Sequence, residues 1–197
     1  GAENNPKIKN TTYDYDIFGN INFTRHKGDI SDNSDDKYEY FNYLNNSNLW
    51  IINKIKNYSL FNSSNSGKIR ETLYSYDALA YGTAPIKGSL TKKEDWLNGG
   101  SNPITKYGYN ITNGNLVNET DTNGRTINYS YGIRDTTNTF VDRIINAKGH
   151  RINYWYELGT GNLLSESDSN NFIKNYSYDV FNRKANETLP YDSQKFP

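Results

Sequence analysis

Four pairs of tyrosines, each pair split by one residue, recur along the second half of the chain: Tyr107/Tyr109, Tyr129/Tyr131, Tyr154/Tyr156 and Tyr176/Tyr178. Their steps are 22, 25 and 22 residues. Self-similarity at a nearly fixed short period means one supersecondary unit stacked on copies of itself, because a unit this small cannot bury its own apolar face. The text between the pairs repeats too. Gly114-Asn115-Leu116-Val117-Asn118-Glu119-Thr120-Asp121 matches Gly161-Asn162-Leu163-Leu164-Ser165-Glu166-Ser167-Asp168, and Asn182-Arg183-Lys184-Ala185-Asn186-Glu187-Thr188 is a fainter copy.

Within a unit the period is two. Ile127, Tyr129 and Tyr131 alternate with Thr126, Asn128 and Ser130, and Phe172, Lys174, Tyr176 and Tyr178 alternate with Ile173, Asn175 and Ser177, which predicts strands. Between them stand Asn113-Gly114, Asn123-Gly124 and Gly159-Thr160-Gly161, residues that accept the positive φ of tight hairpin turns. Each unit therefore reads as a β-hairpin that pairs with the next in an antiparallel sheet. The first half uses the same vocabulary less regularly, with Tyr13/Tyr15 and Tyr74/Tyr76 as further pairs. There, residues 38–43 and 49–56 read as strands, and residues 89–109 as a hairpin turning at Leu97 to Ser101. Segments 29–37 and 62–67 read as loops. Residues 1–12 read as a leading segment that opens on a Gly1-Ala2 cloning scar, 13–104 as irregular hairpins with long loops, and 105–197 as regular repeats.

Apolar residues are only 34% of the chain and its mean hydropathy is −0.92, yet it holds 18 tyrosines. A phenol ring buries a large apolar body while its hydroxyl reaches a partner, so a tyrosine-rich sheet can cohere and still score as hydrophilic. The 22 basic and 22 acidic side chains balance and are dispersed, which argues against nucleic acid as a partner. No run has the length or apolarity of a membrane span, and the absence of cysteine excludes disulfides and thiol chemistry.

The stretches YSYDVFNRKANET (176–188), YDYDIFGN (13–20) and GNLVNETDTNGRTINYSY (114–131) resemble the YD repeat of Rhs proteins, Tc-toxin B and C components and teneurins. In that pattern Tyr-x-Tyr-Asp precedes Gly-Asn or Gly-Arg, an apolar pair and Glu-Thr-Asp-x-x-Gly. Asp follows the second tyrosine at Asp16, Asp77 and Asp179, but Asn110, Gly132 and Glu157 take the position elsewhere. The resemblance implies an all-β fold, a curved, spiralling ribbon of antiparallel hairpins forming one arc of a hollow shell. It implies an exported protein, extracellular or at the cell surface, whose partners are neighbouring repeats and either an encapsulated effector or surface glycans. The family's self-cleaving protease segment and C-terminal effector have no counterpart before Pro197.

Candidate residues sort accordingly. The tyrosine pairs are expected to be structural anchors, a cross-strand ladder of aromatic contacts, rather than a carbohydrate platform. With only His26 and His150 available, no catalytic centre, cofactor or metal is expected. Asp29, Asp32, Asp35 and Asp36 lack the ligand spacing and central Gly of a calcium loop and read as a solvated segment. Ten Asn-x-Ser/Thr sequons, at Asn10, Asn22, Asn45, Asn57, Asn62, Asn110, Asn118, Asn128, Asn175 and Asn186, are candidate N-glycosylation sites, Asn128 and Asn175 lying opposite the tyrosine face by parity. The expected function is a non-enzymatic wall, enclosing a toxin or displayed on a cell. The alternative is an adhesin-like module that binds glycans or a partner surface through Trp50, Trp96 and Trp155. Unpaired edge strands at the two ends invite self-association.

Overall fold

A computed structural model describes residues 8–190. They form fourteen strands: β1 (Asn10–Tyr15), β2 (Ile21–Lys27), β3 (Lys37–Asn46), β4 (Ile51–Phe61), β5 (Lys68–Tyr76), β6 (Leu90–Asp95), β7 (Ile104–Tyr109), β8 (Leu116–Thr120), β9 (Thr126–Ser130), β10 (Arg143–Ile145), β11 (Arg151–Tyr156), β12 (Leu163–Ser167), β13 (Ile173–Tyr178) and β14 (Lys184–Thr188). Sheet order is chain order. The architecture is thus all-β and antiparallel, as the period-two pattern requires. Among the described residues no helix is long and apolar enough to cross a membrane.

Two compact units divide the chain, one ending at Lys106 and the other beginning at Tyr107. The first is built on long strands. β3 and β4 pair from Tyr38↔Phe61 to Asn46↔Ile51, and β4 continues onto β5 from Asn57↔Leu73 to Phe61↔Lys68. Two expected boundaries move here. Asn46 caps a single 3-10 turn at Ser47–Leu49 and Trp50 adopts a left-handed conformation (φ 54°), so β4 starts at Ile51 and Trp50 belongs to the turn. The second unit carries the regular repeats, with Tyr154↔Glu166 and Tyr176↔Glu187 as cross-strand partners.

A device invisible to simple alternation recurs at the second tyrosine of a pair. The register shifts between Asp14 and Tyr15, Ser75 and Tyr76, Trp155 and Tyr156, and Ser177 and Tyr178. In each case the following strand carries one extra residue: Asn22, Thr91, Leu164 or Ala185. A β-bulge of this kind re-aims side chains and adds local twist just before the turn.

The buried interior is thin. Among the described residues the buried apolar side chains include Leu44, Tyr76 and Pro85, alongside polar Thr24, Ser59, Thr72, Asn153 and Ser167. Most tyrosines are half-buried, so each ring contributes roughly half of the 1.5–3 kcal/mol that full burial gives. Tyr13 and Tyr15 depart from this, at 49% and 58% exposure, because among the described residues β1 has one neighbour where inner strands have two.

Candidate functional site

The recurring residues are the natural place to look for chemistry, and their polar atoms turn back into the sheet. Tyr58 on β4 donates its hydroxyl to Glu39 Oε1 on β3 at 2.7 Å. Burial first, then that carboxylate, pushes the Tyr58 phenol up to about 12. Glu119, Glu166 and Glu187 recur beside the tyrosines of the second unit: burial and then Glu119 raise Tyr129, burial and then Glu166 raise Tyr154, and Lys174 holds Glu166 at 3.0 Å. In two pairs the second tyrosine reaches main chain instead. Tyr76 donates to the Ile55 carbonyl at 2.8 Å and Tyr178 to the Leu163 carbonyl at 2.9 Å. Burial pushes Tyr76 up to about 12.

Beside the expected cross-strand aromatic contacts the sheet thus carries phenols bonded to carboxylates and carbonyls. Ring contacts do occur, at Tyr154–Tyr156 and Phe140–Tyr156 (6.2 and 4.8 Å) and in a cluster of Phe23, Tyr38, Tyr40 and Phe61. Phenylalanine supplies many of them. Alternation put each tyrosine pair on one face, but it could not register Glu119, Glu166 and Glu187 as partners without the strand register.

The turns are tied by their first side chain. Asp16, Asp121, Asn146, Asp168 and Asp179 each accept, at 2.8–3.0 Å, the N–H groups two and four residues on. In each, the residue three positions on has positive φ: Gly19, Gly124, Gly149, Asn171 and Asn182. This is a three-residue hairpin loop whose last position is left-handed. Hydrogen bonds hold the carboxyls of Asp16, Asp121 and Asp179 below their usual range, led by those from Asn20, Arg125 and Arg183. Where Asn110 or Glu157 replaces Asp, the loop is one residue longer, closing Asn110 on Asn115 and Glu157 on Asn162. Asn110 still accepts the Thr112 and Asn113 N–H groups there.

Two longer connections are cinched by deeper carboxylates. Asp77 accepts from the N–H groups of Ile86, Lys87, Gly88 and Ser89 at 2.7–3.0 Å. Burial pushes its carboxyl up, but these four donors outweigh it and leave it lowered. Asp142, only 3% exposed, accepts from Ile133 and Arg134.

Other candidates land less simply. Asp36 is not solvated: it is 1% exposed and takes Arg25 Nη2 at 2.6 Å and Nε at 3.1 Å, because strand pairing of β2 and β3 draws it inward. Asp35 instead accepts from the Asp29 N–H. Among the described residues no group of three or more His, Asp or Glu could hold a metal. His26 does line up with a hydroxyl and a carboxylate, Thr11 Oγ1 at 3.5 Å and Glu39 Oε2 at 2.8 Å, on an open sheet surface. His150 lies in a turn, where its N–H bonds Asn146.

Of the sequons, Asn10, Asn45, Asn62, Asn110, Asn128, Asn175 and Asn186 are exposed, whereas Asn22, Asn57 and Asn118 are half-buried. Asn118 fills the space above Gly108, and Asn62 is occupied by Ser64 and Gly67. The tryptophans are not a shared exposed platform. Trp155 is covered by the Arg134 guanidinium at 3.7 Å and Trp96 by the Lys68 ammonium at 4.6 Å; only Trp50, 75% exposed, stands free of the sheet.

No protein-family model matches the chain, and no curated protein matches it. Among solved structures it is similar to the TcdB2-TccC3-Cdc42 crystal structure, at 12% identity and a TM-score of 0.37 over 91% of this chain. It is likewise similar to the Photorhabdus luminescens Tc holotoxin pore, at 11% identity and a TM-score of 0.36 over 94%. The chain spans 11% of the length of each of those chains.

Proposed function

We propose that this chain is a wall segment of a large exported Rhs/YD-repeat protein, a structural β-sheet with no reaction centre of its own, which encloses an effector or is displayed at the cell surface. The observation that supports this reading is the destination of the recurring side chains. Tyr76, Tyr178, Asp16, Asp77, Asp121 and Asp179 all bond the chain's own backbone. Residues that recur because they tie strands and turns together serve stiffness, whatever the wall faces.

The full-length protein tests it. Cryo-electron microscopy is expected to place these hairpins in the wall of a hollow particle, with any enclosed segment resistant to protease until the wall is opened. A full-length structure in which both faces of the sheet contact only solvent would overturn the enclosing role and leave display. The Thr11–His26–Glu39 alignment gives an independent check on the absence of chemistry. Among the described residues no pocket is lined by these three side chains, which leaves a reacting atom open to solvent. Hydrolysis of p-nitrophenyl acetate is expected to be the same for the parent and His26→Ala, and a His26-dependent rate would contradict the wall reading.

A further inference from the structure

The chain holds three Asn-Gly dipeptides, Asn98-Gly99, Asn113-Gly114 and Asn123-Gly124, each in a connection between consecutive strands. All three are exposed, and their glycines share one conformation, with φ of 78°, 77° and 77°. An asparagine followed by glycine is also a reactive pair. The glycine nitrogen has no neighbouring side chain to shield it, so it can swing onto the asparagine side-chain carbonyl and close a five-membered ring.

Hydrogen bonding separates the three. Gly124 donates its N–H to the Asp121 carbonyl at 3.0 Å, and Gly114 donates its own to the Asn110 carbonyl at 2.9 Å. In those turns the glycine closes the loop, so its nitrogen must break that bond before it can attack. The turn between β6 and β7 is set one residue differently. There Gly100, not Gly99, closes on the Leu97 carbonyl, through a long 3.4 Å bond. The Gly99 N–H and the Asn98 carboxamide have no hydrogen-bond partner among the described residues. The Asn113 carboxamide, by contrast, is held by the Asn115 N–H at 3.1 Å. A side-chain carbon built on Gly99 would meet nothing within 4 Å, so the tip also has open space in which the ring can form.

We propose that Asn98 is a self-modifying site, the position at which this chain converts a side-chain amide into an aspartyl or isoaspartyl residue. Water or hydroxide takes the Gly99 N–H proton, and the nitrogen bonds Asn98 Cγ. The Cγ–Nδ2 bond then breaks, and ammonia leaves with a proton from water. A second water opens the succinimide that results. Attack at Cγ gives aspartate, and attack at the main-chain carbonyl gives isoaspartate, in which the chain runs on through Cγ. Water is the only co-reactant. Either product puts a carboxylate on the tip, so a chain of formal net charge zero moves one unit negative. The isoaspartyl product also presents a free α-carboxylate, the group that an isoaspartyl methyltransferase esterifies with S-adenosylmethionine. This goes beyond the wall reading and does not depend on it.

The test ages the chain at mildly alkaline pH, folded and in urea, and follows the three Asn-Gly peptides by mass spectrometry. In urea local sequence alone governs each site, so every folded rate is divided by its own rate in urea. On that scale Asn98 should react at least about fivefold faster than Asn113 and Asn123, the ~1 kcal/mol that one retained hydrogen bond adds to a barrier. The rate at Asn98 should climb with pH, and methyl groups transferred from S-adenosylmethionine should map to that position. Asn98→Gln, whose longer side chain closes its ring far more slowly, should remove the acidic species that ion exchange resolves. The proposal is overturned if folded Asn98 is no faster than Asn113 and Asn123 relative to urea, or if the acidic species persists in Asn98→Gln.

Discussion

Four backbone N–H groups converge on the one carboxylate of Asp77, whereas Asp121 receives two. The difference predicts unequal sensitivity to loss of charge. Asn146 already performs the two-donor task with a single amide oxygen, and the Arg125 ion pair that Asp121 also holds is solvent-exposed, so Asp121→Asn should cost less than about 1 kcal/mol. Asp77→Asn keeps the shape and tolerates the left-handed backbone at that position, but it turns an amino group toward a donor and removes charge assistance from four bonds. A loss of roughly 1.5–3 kcal/mol is expected, read by urea unfolding at unchanged m-value. The recurrence of these acids was legible in the sequence, but their work was not. Asp16 and Asp179 follow tyrosines while Asp121 and Asp168 follow Thr and Ser, and only the shared loop geometry shows them to be one device.

Hairpins were the most legible elements, because alternation and the Asn-Gly pairs state strand and turn in local terms. The bulges at Tyr15, Tyr76, Tyr156 and Tyr178 were not legible, since an extra residue in the following strand reads as ordinary alternation until its partner is known. The apolar pair Leu163-Leu164 is the trace it leaves. Nor did the sequence show that Arg134 and Lys68, distant along the chain from Trp155 and Trp96, would cover them. At the turns the conformational argument can be isolated. A methyl group on Gly124 would meet nothing within 4 Å, so the effect of Gly124→Ala is that of its φ of 77° alone, about 1–2 kcal/mol. Gly124→Asn should recover most of the loss, as Asn171 and Asn182 hold the same position (φ 62° and 61°). Thermal midpoints of the two variants check the order, and equal losses would mean that strain is not the cause.

Across the whole molecule, titration should bound stability on both sides. Tyr58 and Tyr76, pushed up to about 12, favour the protonated phenol in the fold. Their contribution is complete below the unfolded tyrosine pKa of about 10 and is lost as pH climbs to about 12. Asp16, Asp77, Asp121 and Asp179 are lowered, so theirs is complete above about 4 and fades as pH falls further. A melting profile against pH should be flat between these limits, and no decline between pH 10 and 12 would contradict the assignment of the two phenols. Among the described residues β1 pairs only with β2 and β14 only with β13. Sedimentation velocity should show mass rising with concentration, and Thr12→Lys on β1 should suppress it. Chain-order pairing also has a mechanical side. With each strand bonded to the ones just before and after it, tension applied through the termini would load one ladder at a time, and the sheet would peel like a zipper in short low-force steps rather than resist as a block and rupture at once.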